Sequence, residues 1–137
     1  MATEFFIKQG ASQPALVMRV NRDNRFAYEK IQAALENSTI TFSMIDIETN
    51  ILKVAKNRGG LILMDSQNSV EDETEYYVYY KFSTDDTNRP GRYKAEFKID
   101  FFDTVSTDIT GTFIAPIHDD LFINVIKSLF TERNNFN

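Results

Sequence analysis

The chain has 137 residues, of which 42% are hydrophobic and 26% charged, enough apolar side chain for one globular domain with a core of its own. It has no cysteine, no tryptophan, five glycines and three prolines, which excludes a disulfide-stapled mini-domain, a zinc ribbon, a collagen-like segment or a flexible linker. Fifteen basic against 20 acidic residues leave a formal charge of -5, so there is no strong positive field for a phosphate backbone or anionic lipid, and neither nucleic acid nor membrane is expected as a partner.

The opening Met1-Ala2-Thr3-Glu4 lacks a basic region followed by an apolar stretch, and no later segment approaches roughly 18 uncharged apolar residues. The expectation is a chain made in the cytoplasm that stays soluble. Phe5 to Ile7 is a short apolar run bounded by polar residues and reads as a strand. Leu16, Met18 and Val20 alternate with Val17 and Arg19, a second strand. Ala27, Ile31, Ala34 and Leu35 then recur at helical spacing, with Asp23 or Asn24 as the cap and Asn37-Ser38 as the stop, so one helix of about three turns is expected over 24–36.

Ile40, Phe42 and Met44 alternate with Thr41, Ser43 and Ile45, but Asp46 falls where the inward face would continue, and a bulge at Met44-Ile45 would restore the register. Short strands are read at Ile51–Ala55 and Leu61–Met64, on either side of Asn57-Arg58-Gly59-Gly60, which reads as a tight turn. From Thr74 to Ser83 one face carries Tyr76, Val78, Tyr80 and Phe82 and the other Tyr77, Tyr79, Lys81 and Ser83, side chains suited to a pleated surface. The next eight residues, Thr84 to Gly91, concentrate turn formers. The cleanest alternation follows, Tyr93, Ala95, Phe97, Ile99 and Phe101 against Lys94, Glu96, Lys98 and Asp100, a strand with one wet face. Ile109–Ile117 and Leu121–Ile126 complete the set.

Many short strands with a single helix in a connection imply an all-β fold, an antiparallel β-sandwich, since a βαβ fold would need helices recurring between strands. No repeat or composition break divides the chain. Residues 1–130 are read as a single domain and 131–137 as a short polar tail carrying Phe136.

The chemistry-bearing residues are few. His118, the single histidine, sits in Pro116-Ile117-His118-Asp119-Asp120 and cannot by itself build a multi-imidazole zinc site; no Gly-x-Ser-x-Gly elbow accompanies it. Acidic residues cluster at Glu71-Asp72-Glu73-Thr74-Glu75, Asp85-Asp86 and Asp119-Asp120, but no calcium-loop spacing is present and solvated turns are expected. The Gly59-Gly60 pair lacks the Lys-Ser/Thr of a phosphate loop. Catalytic residues, metal ligands and a cofactor are therefore not expected. Tyr77 and Tyr79 would form an aromatic strip on the outer face of their strand, suited to a protein partner or a sugar ring unless the chain's own helix or loops cover it.

Pro90-Gly91 turns the chain into the long strand, and Tyr93 two residues later can bury its ring while its hydroxyl reaches back to a backbone group, as in the tyrosine corner of Greek-key sandwiches. Phe42, Ala95, Phe97 and Ile99 are the expected core beside it.

Three segments carry a family resemblance: Phe6-Ile7-Lys8-Gln9-Gly10-Ala11-Ser12-Gln13-Pro14-Ala15-Leu16, then Ser38-Thr39-Ile40-Thr41-Phe42-Ser43-Met44, and most specifically Asp85-Asp86-Thr87-Asn88-Arg89-Pro90-Gly91-Arg92-Tyr93-Lys94-Ala95-Glu96-Phe97. Together they resemble the immunoglobulin-like domain of bacteriophage tail and baseplate proteins, known from the N-terminal domain of siphophage baseplate upper proteins. The chain departs from that pattern in the helix over 24–36 and in the longer Phe102–Asp108 connection, and it reads as a stand-alone domain. The resemblance implies an immunoglobulin-like sandwich with no enzymatic activity, a virion structural protein of the tail, baseplate, neck or head decoration. It further implies other virion proteins as partners and a symmetric oligomer within the particle. Tyr77, Tyr79 and Phe136 are the candidate partner interface. The alternative is a carbohydrate-binding adhesion module for host-surface glycans, built on Tyr77, Tyr79 and the acidic loops; a small hydrolase using His118 ranks third.

Overall fold

The computed structural model describes residues 3–19, 35, 37–65, 74–101, 111–116 and 119–130. Among the described residues nine strands follow one another: β1 (Thr3–Lys8), β2 (Leu16–Arg19), β3 (Thr39–Asp46), β4 (Leu52–Arg58), β5 (Gly60–Asp65), β6 (Thr74–Tyr80), β7 (Gly91–Phe101), β8 (Gly111–Ala115) and β9 (Leu121–Ile126). Each overlaps a segment read as a strand, four from alternation and five from short apolar runs. In β7 the alternation becomes burial directly: Tyr93, Ala95, Phe97, Ile99 and Phe101 face the interior, while Arg92, Lys94 and Glu96 are exposed. The helix expected over 24–36 lies outside the described residues except at Leu35, which is buried in the core.

The strands form two layers. One sheet runs β1-β9-β7-β3-β4, with β8 also paired to β7; the other runs β2-β6-β5. The layers close as an all-β sandwich. The eleven-residue β7 organises the larger sheet. One of its edges pairs with β3 from Tyr93 to Asp100, and the other is shared, with Gly91 to Ala95 on β9 and Phe97 to Phe101 on β8. The sandwich is not wholly antiparallel as expected, because β1 pairs parallel to β9, Thr3 opposite Leu121 through Lys8 opposite Ile126. Local periodicity carries no information on that long-range pairing.

Phe42 stands where the layers meet. Its ring stacks on Tyr80 at 4.3 Å, meets Phe82 edge-on at 5.8 Å and lies tilted against Phe97 at 5.1 Å. Aromatic rings at these separations prefer such offset and edge-on arrangements. Leu16, Val78, Val54, Met44, Ile99 and Ile123 fill the space around them.

Two local expectations are corrected. A register shift does occur beside Met44-Ile45, but not within β3, whose pairing with β7 runs unbroken from Thr39 to Asp46. The extra residues sit in β4, at the sheet edge, where Lys56 adopts a φ of 55° and donates its N–H to Ser43 Oγ at 2.9 Å. Buried Ile40, Phe42 and Met44 hold β3 straight, so the irregularity falls on the strand with a free side. Asp46 ends the inward run as a turn residue, its carboxylate accepting the Glu48 N–H at 2.9 Å. Nor do Gly59-Gly60 make a tight turn within one sheet: the chain crosses there from β4 in one layer to β5 in the other. Glycine is needed at Gly59 because a Cβ would lie 2.7 Å from the Tyr79 carbonyl oxygen.

Candidate functional site

Among the described residues, side-chain hydrogen bonds concentrate in the connection between β6 and β7. Ser83 and Asp86 face each other across a turn, the Asp86 N–H donating to the Ser83 carbonyl at 3.1 Å and the Ser83 N–H to Asp86 Oδ2 at 3.0 Å. The same carboxylate oxygen accepts the Tyr80 hydroxyl at 2.6 Å, and Asn57 of β4 donates its amide to that hydroxyl at 3.0 Å. Asp86 is buried, against the expectation of a solvated acidic turn at Asp85-Asp86, because a carboxylate surrounded by donors can leave water. Burial, and next the Asp86 carboxylate it binds, push the Tyr80 hydroxyl up to about 12, with the Asn57 amide opposing.

The following residues tie the connection to the rest of the domain. Thr87 is fully buried and donates its hydroxyl to the Ala11 carbonyl at 2.8 Å, while its own carbonyl accepts the Gly10 N–H at 3.0 Å. Asn88 accepts from Gln9 through its carbonyl and from Lys53 through its side chain. Gly91 opens β7 with a φ of +154°, a conformation that side chains disfavour. Tyr93 buries its ring and donates its hydroxyl to the Arg89 carbonyl at 2.7 Å, so Pro90, Gly91 and Tyr93 form a tyrosine corner. Burial foremost, then the Asp46 charge, raises the Tyr93 hydroxyl above its ordinary pKa, with Arg89 opposing. Chemically this cluster binds one connection to β4, to the end of β6 and to the loop after β1. The core positions Phe42, Ala95, Phe97 and Ile99 are all buried beside it.

Of the predicted interface, Tyr77 and Tyr79 lie half-buried on the outward face of β6. Tyr79 stands between Val17 on β2 and Gly60 on β5, and Tyr77 between Arg19 and Ile62. The Tyr79 ring occupies the space a side chain at Gly60 would take, with ring carbons 2.4 Å from where a Cβ would be. That ring lies against the neighbouring strand and remains half-buried on the outward face. Phe136, His118 and Glu71-Asp72-Glu73 lie outside the described residues. Asp119 and Asp120 are exposed, and Asp120 pairs with Lys94 at 3.2 Å. Among the described residues no three His, Asp or Glu side chains group as metal ligands, and no helix is long and apolar enough to cross a membrane.

On the outward face of the larger sheet, Arg92 of β7 donates to Glu4 of β1 at 2.6 Å and lies 3.8 Å over the Phe122 ring of β9, while Asn124 donates to the other Glu4 oxygen at 2.9 Å. Among the described residues the large apolar side chains most exposed are Phe130 at 83%, Leu129 at 80%, Ile51 at 66% and Phe6 at 60%. Leu129 and Phe130 also border an open hollow floored by Gly10 and Ala11. Alternation alone did not single out Asp86, Thr87 or Asn57; the signal was Thr87 within Asp-Thr-x-x-Pro-Gly, a polar residue placed where the chain must turn inward.

Comparison with protein-family models, with curated proteins and with solved structures finds no match for this chain.

Proposed function

We propose that this chain is a non-catalytic bacteriophage virion structural protein, an assembly module of the tail, baseplate, neck or head decoration that docks onto other virion proteins in symmetric copies. One observation carries the reading. The segment most similar to the phage tail and baseplate domains, Asp85 to Phe97, uses its polar side chains to lock its own connection: Asp86 on Tyr80, Thr87 on Ala11, Tyr93 on Arg89. Such a segment serves stability and leaves recognition to the surface, where Phe6, Ile51, Leu129 and Phe130 offer apolar contact. The partners are other virion proteins, not nucleic acid or membrane, and the place of action is the virion.

The genes flanking the one that encodes this chain test the reading: portal, tail-tube or fibre genes are expected beside it, and a block of metabolic genes would contradict it. The carbohydrate-binding alternative rests on Tyr77 and Tyr79, half-buried on the outward face of β6. A glycan array separates the two. Saturable binding abolished by Tyr79→Ala would replace assembly with adhesion.

A further inference from the structure

The larger sheet ends on one side in β1, and among the described residues no strand pairs with its outer side. Thr3 donates its N–H to the Asp120 carbonyl at 2.8 Å and Gln9 to the Ile126 carbonyl at 2.7 Å. Backbone groups alternate along a strand, so Phe5 and Ile7 also face β9, while Glu4, Phe6 and Lys8 turn their N–H and C=O away from the sheet. The side chains of those three residues lie on the outward face, Phe6 60% exposed. Natural edges are usually blunted by proline, bulges, inward charge or a covering loop. Within Thr3–Lys8 there is no proline, and the pairing with β9 runs without a shift.

The charges on this edge complement themselves. If two β1 strands run antiparallel with Phe6 opposite Phe6, the residue two places before it meets the residue two places after it, so Glu4 of each copy, whose carboxylate already accepts from Arg92 and Asn124 of its own chain, faces Lys8 of the other on the same side of the sheet. In that register all three outward residues form hydrogen-bonded pairs, each exchanging N–H and C=O. Sliding the strands to place Glu4 opposite Glu4, or Lys8 opposite Lys8, sets like charges together. The other edge strands lack this property: β5 carries one charged residue, Asp65, and β8 none. The β4 edge is broken by two register shifts and carries Lys53, Lys56 and Arg58, which repel a second copy of themselves. The β2 strand is four residues long.

We propose that two copies of this chain pair β1 to β1, antiparallel about a two-fold axis at Phe6, and join their larger sheets into one continuous sheet. The contact is isologous and uses strand addition. It does not rest on the virion reading, since a β1-paired dimer forms in solution whether or not the chain enters a particle.

The test is sedimentation equilibrium on the whole chain with variants that leave the monomer's own ladder intact. The wild type is expected to dimerise reversibly. Phe6→Pro removes an N–H that faces away from β9 and is expected to abolish the dimer with the strand content by circular dichroism unchanged. Lys8→Glu turns two attractive pairs repulsive and is expected to weaken dimerisation about tenfold. Register is read separately: the chain has no cysteine, so Phe6→Cys is expected to form a disulfide dimer under mild oxidation, while Val17→Cys on the β2 edge is not. A monomer at every concentration overturns the proposal. So does a dimer that survives both Phe6→Pro and Lys8→Glu, or equal cross-linking through Val17→Cys.

Discussion

The Tyr80 hydroxyl donates to the Asp86 carboxylate at 2.6 Å, joining the end of β6 to the turn six residues later, and both groups are buried beneath the connection they hold. An acidic residue in a run of turn formers is thus an internal hydrogen-bond acceptor, and its removal should be felt across the domain.

Asp86→Ala leaves the Tyr80 hydroxyl and the Ser83 N–H without their acceptor. The expected cost is about 1 to 3 kcal/mol of folding stability, read as a lower urea midpoint with an unchanged slope. An unaltered midpoint would show that the carboxylate contributes nothing.

Alkali should act through the same pair. The folded chain holds the Tyr80 proton to about 12, whereas an unfolded tyrosine releases it near its ordinary 10.0. The raised pKa makes this contribution complete below about pH 10 and progressively lost as pH rises toward 12. Stability is expected to fall by roughly 2 kcal/mol over that interval, since one unit corresponds to about 1.4 kcal/mol. Urea titrations from about pH 9 to about pH 12 check it, and Tyr80→Phe should flatten the decline. An equally steep decline in the variant would assign the effect elsewhere, Tyr93 being the next tyrosine with a raised pKa.

The two adjacent glycines should respond differently to alanine. At Gly59 the new methyl meets the Tyr79 carbonyl oxygen at 2.7 Å, a backbone atom within the β5–β6 ladder, and a loss of about 1 to 3 kcal/mol is expected. At Gly60 it meets the far end of the Tyr79 side chain, which can swing aside, so Gly60→Ala should cost less. Thermal unfolding of both variants checks the order.

In the core, Phe97→Ala should cost about 3 to 5 kcal/mol, because the ring is fully buried and packs on Phe42. Tyr93→Phe keeps its ring buried and loses only the bond to the Arg89 carbonyl, about 1 kcal/mol. Chemical denaturation of the two variants reads the difference between closing the core and locking the corner.

Strand positions were legible because burial on one face imposes a two-residue period, and in β7 every second residue from Tyr93 to Phe101 is indeed interior. Pairing was not legible in the same way. Nothing within Thr3–Lys8 says that its partner is Leu121–Ile126, or that the two run parallel, since that depends on which distant strand the fold brings alongside. The bulge was placed near the right residues but on the wrong strand: the Asp46 phase break is visible locally, whereas the free side of β4 exists only in the assembled sheet. The corner could be read from Pro90, Gly91 and Tyr93 because turn chemistry is local. Asp86 could not, because its partner Tyr80 belongs to a strand whose inward face was assigned to apolar packing alone.

Quantitative mass spectrometry of density-purified particles, produced from the genome that carries this gene, tests the assembly role most directly. Peptides of this chain should be present at a constant whole-number ratio to the other structural proteins, unchanged by a further round of purification. Their absence from intact particles, with the chain abundant in the surrounding lysate, would contradict it.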